Sequence, residues 1–159
     1  MVQRDVNKID HNGIDVFVVV DMAKEAHYAQ AITTSGEELF NRPVTNDEAA
    51  IVKIITDAKT RGRVVLVIDM PSSPAQLLLA VARQHDVPVA YVTGLQMRRA
   101  AELYSGAAKT DPRDAWVLAD FARRHSDRLA WLQVDDDLLA KLRILNGRDV
   151  DLADDANRR

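Results

Sequence analysis

Two aspartates follow apolar stretches and could act together on a bound cation. Asp21 and Asp69 end the runs GIDVFVVVD and VVLVID, whose β-branched residues predict buried strands. Ligands of open α/β sheets bind beyond the carboxyl ends of the strands. Aspartate also commonly begins the turn after a strand, so neither residue is decisive alone.

Two further aspartates lie three residues apart in the sequence KTDPRDA, at Asp111 and Asp114. A helix predicted over 111–124 places both on one side. That side also carries Ala115, Leu118, Phe121 and Ala122, whereas Arg113, Asp120, Arg123 and Arg124 fall on the other. Helix capping explains an aspartate at position 111 well, but it explains Asp114, one turn further on, poorly.

Four converging carboxylates would repel one another unless a cation held them together. Ligation by oxygen alone suits Mg²⁺ or Mn²⁺. Two such ions about 4 Å apart can activate water and stabilise the leaving oxygen of a phosphodiester. The hypothesis from these residues is therefore a divalent-metal site for phosphoryl transfer.

The elements that must position these residues alternate along most of the chain. Strands are predicted over 13–21, 27–34, 39–44, 64–69 and 87–93. Helices are predicted over 46–61, 74–85, 95–104 and 111–124, and from 135 onward. The first three strands favour an antiparallel meander, and the later strand–helix alternation favours parallel pairing. The fold class is α/β, a mixed five-stranded sheet with helices on both faces.

The composition restricts the possible partners and environment. The 159 residues are 47% hydrophobic and 28% charged, with a net charge of −3 and no cysteine. Disulfides and thiolate metal sites are excluded, and a nucleic-acid partner would need a local basic patch or a metal. The sequence contains no apolar run of about 18 residues or more. We expect a cytoplasmic protein without a membrane partner.

Several motifs resemble those of a known family. DMAKEAH at 21–27 resembles the D-x-x-K-x-x-H opening of the DEDD transposases of the insertion-sequence-110 family, which includes the Piv-type DNA invertases. VVLVIDMPSS resembles the second acidic strand of that family, and VPVAYVTGLQMRR the strand and helix that follow. GAAKTDPRDA resembles the more specific K-T-D-x-x-D-A signature. The resemblance covers about residues 13–125 in the family's order.

The resemblance implies an RNase H-like, RuvC-like fold and a catalytic tetrad of Mg²⁺ (or Mn²⁺) ligands. The tetrad would be Asp21, Asp69, Asp111 and Asp114, with Asp69 where the family usually has Glu. Asp15 is an alternative for the first position, since it shares strand parity with Asp21. Candidate nucleic-acid contacts are Lys24, Arg98, Arg99 and Lys109. For His27 we favour a structural role.

The family's full-length members are longer, adding a coiled-coil region and a C-terminal domain that supplies a serine nucleophile. A structured guide RNA directs their recombination of DNA. We expect residues 1–130 to form the RuvC-like domain and 131–159 to begin the coiled coil. In that last helix, Leu138, Leu139, Leu142, Leu145 and Leu152 would form a homo-oligomer contact.

The predicted function is that of a DNA transposase domain that assists strand cleavage and exchange but is inactive alone. Two alternatives remain at this point. One is a catalytically silent nucleic-acid-docking and dimerisation module, and the other is a stand-alone RNase H-like junction nuclease.

Overall fold

The computed structural model of the chain describes residues 13–23, 26–69, 73–103 and 111–145. At positions 94, 97, 100, 101 and 111–114, within helices, the backbone alone is described. Lys24 and Lys109 lie outside the described residues. Within the described ranges, no helix is both long enough and apolar enough to cross a membrane.

Six strands form one mixed sheet. They are β1 (Val16–Asp21), β2 (Ala26–Thr33), β3 (Glu38–Thr45), β4 (Val64–Ile68), β5 (Val89–Tyr91) and β6 (Ala130–Leu132), in the spatial order β3-β2-β1-β4-β5-β6. β1, β2 and β3 form the predicted antiparallel meander. β4 and β5 continue the sheet in parallel with β1.

The strand count of five was wrong, because β6 adds a sixth strand antiparallel to β5. It has three residues and follows a short 3₁₀ turn at Ser126–Arg128. Three residues are too few to show the alternation by which strands are recognised in a sequence. The segment predicted as a helical extension, 131–159, thus begins inside this strand and continues into a helix. Its division from the preceding residues stays a prediction.

In the part of the chain that the structure describes, five α-helices accompany the sheet. They are α1 (Glu48–Lys59), α2 (Gln76–Gln84), α3 (Gly94–Leu103), α4 (Asp111–Arg124) and α5 (136–145). Alternate residues of the central strands face two separate apolar clusters. Val16, Val18 and Val20 of β1 face the cluster that contains α1, α2 and part of α5. Phe17 and Val19 face the cluster that contains α4. The prediction of helices on both faces is confirmed.

The helical wheel of α4 was wrong about one residue. Asp120 was predicted on the solvent side but is 3% exposed. It accepts bonds from Arg123 Nη2 at 2.7 Å and Arg124 Nε at 3.0 Å. Buried carboxylates are stable when they are paired in this way. The wheel missed it because α4 is buried on more than one side: Val117 and Ala119, outside the predicted apolar stripe, are also buried.

The leucines of α5 pack mainly within this chain. Leu142 is 4% exposed, and Leu138 and Leu139 contact the α1–α2 cluster. Three of the five leucines assigned to an oligomer contact therefore cover the domain's own core. Leu145 is exposed, as is the neighbouring Ile144, and Leu152 lies outside the described residues.

Candidate functional site

Asp21 and Asp69 lie side by side at the carboxyl ends of two neighbouring parallel strands. Asp21 is the last residue of β1, and Asp69 follows the last residue of β4. The register pairs Val20 with Ile68, so each aspartate lies one position beyond that pair. Paired strands are about 4.8 Å apart, so the two backbones are close neighbours. Both residues are partly buried.

Both aspartates share the α4 face of the sheet by strand alternation. Along β1, Phe17 and Val19 belong to the α4 cluster, and Asp21 continues the same parity. Along β4, Val65 and Val67 also belong to the α4 cluster, and Asp69 is the next residue of the same parity. The side of the sheet that carries these carboxylates is therefore the side on which α4 packs.

The direction of α4 brings its first turn to the same edge. The Arg123 guanidinium, near the end of α4, lies beside Gly36 in the β2–β3 turn, 3.5 Å from where a Cβ would be. This turn adjoins the start of β1, since the Thr34 N–H donates to the Asp15 carbonyl at 3.1 Å. The helix thus runs opposite to β1. Its 14 residues span about 21 Å, comparable with the length of the strand.

The first turn of α4 contains the other two predicted ligands, Asp111 and Asp114. Its backbone lies toward the edge where Asp21 and Asp69 end their strands, but the side chains of 111–114 are not described. The four-carboxylate site stays a prediction. Among side chains that the structure describes, no group of three or more His, Asp or Glu residues could hold a metal ion.

The chemistry of the described donors fits a hard divalent cation. Two carboxylates at adjacent strand ends supply oxygen ligands, which Mg²⁺ prefers. Mg²⁺ usually keeps several waters and binds through one or two carboxylates together with substrate phosphates. A partial protein shell at this edge is therefore compatible with Mg²⁺ or Mn²⁺.

Asp15 is not an alternative for Asp21, because it lies at the opposite end of β1. Its carboxylate accepts the Arg63 backbone N–H at 2.8 Å. It packs so closely on Gly62 that a Cβ there would collide with it, and Gly62 also has a φ of +134°. Asp15 therefore fixes the turn that enters β4.

His27 connects the loop after Asp21 to the start of α1. The side chain is buried, and its Nδ1 accepts the Ala23 N–H at 3.2 Å. Nε2 lies 3.1 Å from Asn46 Oδ1. Because Nδ1 accepts a bond, we assign the ring hydrogen to Nε2, which then donates to Asn46. Burial lowers the pKa of His27, an effect that the Asn46 bond partly offsets. These contacts support the structural role favoured by the sequence.

Two of the predicted cationic residues, Arg98 and Arg99, are exposed on α3. Reciprocal bonds between Thr93 and Gln96 cap this helix: the Thr93 N–H donates to Gln96 Oε1 at 3.0 Å, and the Gln96 N–H donates to Thr93 Oγ1 at 3.2 Å. Since α3 begins just after β5, the arginines follow the carboxyl end of a third parallel strand. Their role in nucleic-acid binding stays a prediction.

A cavity of about 370 Å³ lies next to Asp21. Its wall includes Met22, His27, Tyr28 and Pro43. Tyr28 is the cross-strand partner of Asp21, and Pro43 is that of Tyr28. Tyr28 was not among the residues predicted for this site. The short connection between β1 and β2 could have predicted its position. In a hairpin, the end of the first strand pairs with the start of the second, which places Tyr28 opposite Asp21.

The sequence matches a family model for DEDD transposases of IS110, described as "Transposase", over residues 18–159. The chain belongs to this family. The resemblance inferred from its motifs is thereby confirmed.

Curated proteins similar to this chain come from insertion elements. The chain is 38% identical to the IS110 43.6 kDa protein of Streptomyces coelicolor, over 94% of this chain and 37% of that protein. It is 37% identical to the IS116 44.8 kDa protein of Streptomyces clavuligerus, over 88% of this chain and 35% of that protein. The chain thus spans somewhat more than a third of the length of these relatives.

The fold is also found among solved structures. Thermus thermophilus RuvC in complex with a Holliday junction substrate superposes with a TM-score of 0.53 at 12% identity. The match covers 74% of this chain and 99% of the RuvC chain. A second T. thermophilus RuvC structure gives a TM-score of 0.50, also at 12% identity. The predicted RuvC-like fold of this DEDD transposase chain is confirmed.

Proposed function

We propose that this chain is the metal-binding catalytic domain of a DNA transposase, which assists phosphodiester cleavage and strand exchange. The observation that carries the proposal is the pairing of Asp21 and Asp69 at adjacent strand ends on the α4 face. The first turn of α4, with Asp111 and Asp114, points to the same edge. Membership of a transposase family supports DNA as the substrate class.

Asp21, Asp69, Asp111 and Asp114 would together hold Mg²⁺ or Mn²⁺. When bound, such ions activate the attacking oxygen and stabilise charge on the leaving oxygen. The protein's part is to fix the carboxylates on rigid strands and a helix, so that little reorganisation is needed. His27 holds the loop after Asp21 in place through the Ala23 N–H.

Nucleic-acid binding would depend on local cations, because the net charge of the chain is −3. Arg98 and Arg99 are exposed and available to phosphates. Lys24 and Lys109 complete the proposed set of backbone contacts. We further propose a structured guide RNA and a second copy of the chain as partners of the complete protein, with action in the cytoplasm. The serine nucleophile would lie in a further domain.

Calorimetric titration with Mn²⁺ tests the metal site without requiring activity. We expect Asp21→Asn, Asp69→Asn and Asp114→Asn each to weaken Mn²⁺ binding by at least about tenfold, since even outer-shell changes cost that much. Asp57→Asn is the matched control, because Asp57 pairs with Arg42 at 2.7 Å on another surface. Equal Mn²⁺ binding by the wild type and all three variants would contradict the proposal and favour a silent docking module.

A second candidate function is a nuclease acting on branched DNA. The observation that favours it is the structural likeness to RuvC bound to a Holliday junction substrate. A cleavage assay on four-way DNA junctions in Mg²⁺ and in Mn²⁺ separates the candidates. Cleavage abolished by Asp21→Asn would support the nuclease, and uncut junctions with intact metal binding would support the transposase domain.

A further inference from the structure

Three residues form a row across the sheet next to the candidate metal site. Asp21 of β1 pairs with Tyr28 of β2, and Tyr28 pairs with Pro43 of the edge strand β3. Directly opposed residues have Cβ atoms about 4.5–5.5 Å apart on one face of the sheet. The row therefore leads outward from the carboxylate to the edge of the sheet, and we call it the Tyr28 shelf.

Among the described residues, part of the Tyr28 shelf is uncovered, because α4 does not extend over all of it. α4 packs mainly on β1 and β2, and it does not pack extensively on β3. Pro43 is exposed, and Tyr28 is half-buried, so the shelf keeps an accessible surface. The adjoining cavity of about 370 Å³ falls within the roughly 300–1,000 Å³ typical of small-ligand sites.

The walls of this cavity suit a flat, largely apolar group. Ala23 and Ala26 also line the cavity, as does Met22, which packs on the α1–α2 cluster. Tyr28 supplies an aromatic ring and Pro43 an aliphatic one. Among the described lining residues, Asp21 alone carries a formal charge, since His27 is neutral. Nucleobases bind to proteins by stacking on such aromatic side chains. A ligand with a flat ring at the shelf and an anionic group at the metal would match both parts.

We propose that the Tyr28 shelf binds the base of the nucleotide next to the phosphate held at Asp21. The inference rests on the proposed function, because the phosphate is located by the metal site. The base must be unstacked from its strand to reach the shelf, as in a single strand or a splayed junction. Tyr28 would thus be a substrate-binding residue that favours unpaired DNA at the reacting position.

The test measures binding of the full 159-residue chain to a fluorescent single-stranded DNA of about 12 nucleotides. We expect Tyr28→Ala to weaken binding by about 5- to 150-fold, the range for losing one stacked base, and Tyr28→Phe to stay near the wild type. Phe40→Ala is the matched control. It removes a partly buried ring that packs on the α1–α2 cluster, on the other face of the sheet.

A second series replaces one base at a time by an abasic site. At one position, the abasic DNA should bind to the wild-type protein as weakly as intact DNA binds to Tyr28→Ala. Combining that abasic site with Tyr28→Ala should weaken binding little further, because both changes remove the same contact. Equal binding by Tyr28→Ala and the wild type, additive losses at every position, or no binding by the wild type would each overturn the proposal.

Two controls separate this inference from the proposed function. Tyr28→Ala should bind Mn²⁺ like the wild type, because the ring is not a ligand. Stacking of a base on Tyr28 does not itself require a metal, so the DNA-binding measurement can be repeated in EDTA. If Tyr28→Ala weakens DNA binding but the wild type binds no Mn²⁺, the proposed metal site is contradicted and the stacking site is not. The same oligonucleotide made as RNA distinguishes a DNA strand from a guide RNA, and we expect the Tyr28 effect to be larger on DNA.

Discussion

His27 links the candidate site to the rest of the fold through a single side chain. Its ring is 1% exposed and bonded at both nitrogens, to the Ala23 N–H and to Asn46. A proton on Nδ1 would face the Ala23 N–H, so the folded protein favours the neutral ring. Burial lowers the pKa of His27 for the same reason. The residue therefore holds the loop after Asp21 best when it is uncharged.

The stability of the protein should therefore depend on the protonation of His27. The pKa of the ring is about 6.5 in the unfolded chain and lower in the folded protein. Between these two pKa values, unfolding is therefore accompanied by the uptake of a proton. We expect the free energy of unfolding to decrease below about pH 6.5, by up to about 1.4 kcal/mol per pH unit. Urea denaturation at several pH values measures this slope.

Two variants and an NMR titration of the wild-type protein check this pH dependence. His27→Gln should flatten the slope, and His85→Gln should keep it. NMR titration of the wild-type protein gives a measurement that needs no variant. A His27 ring that titrates at or above about 6.5 would contradict the assignment.

Helix α4 is an element whose position depends on contacts near its carboxyl end and along its middle. Near its carboxyl end, Asp120 pairs with Arg123 and Arg124, and Arg123 lies against Gly36 of the β2–β3 turn. Ala115, Leu118, Ala119 and Ala122 are buried against the sheet. These contacts fix how far the helix extends along β1. They therefore set the position of the helix backbone along the sheet, on which the proposed site at its first turn depends.

Removing the buried carboxylate should loosen this element. We expect Asp120→Ala to lower the free energy of unfolding by about 2–3 kcal/mol, somewhat less than the 3–5 kcal/mol for fully buried pairs, because Arg124 is exposed. Asp57→Ala, which breaks a surface pair with Arg42, should cost only about 0.2–1 kcal/mol. Chemical denaturation measures both variants, and equal losses would contradict the importance of burial at Asp120.

At the scale of the whole molecule, the described residues form two apolar clusters that share one sheet. Residues of β1 and β4 alternate between the α1–α2 cluster and the α4 cluster, and the central strands are buried on both sides. Neither cluster can be exposed without disrupting strands that the other needs. The described part of the chain is therefore expected to unfold in one cooperative step, as small single domains usually do.

Phe17 provides a test of this cooperativity, since it is 1% exposed in the α4 cluster. Phe17→Ala should lower the free energy of unfolding by about 3–5 kcal/mol. Far-ultraviolet circular dichroism and tryptophan fluorescence should still show the same midpoint. Leu103→Ala, at a side chain that is 79% exposed, should change stability by less than about 0.5 kcal/mol. Separate midpoints for the two signals would show that the clusters unfold independently.

The sequence by itself determined those features that depend on neighbours along the chain. The apolar runs ending at Asp21 and Asp69 predicted β1 and β4, and the spacing of apolar residues predicted α4 as a helix. The motifs around them predicted the family and its RuvC-like fold, which the comparisons confirmed. β6 was missed because its three residues carry no usable pattern.

The tertiary structure decided which remote residues meet, because that depends on register and chain direction. It placed Asp21 beside Asp69 through the pairing of β1 with β4. It also showed that the Asp15 carboxylate, at the opposite end of the strand, accepts the Arg63 N–H. It also brought Tyr28 next to Asp21 and buried Asp120. Local patterns in a sequence set which face a residue occupies, but only packing between elements sets its neighbours in space.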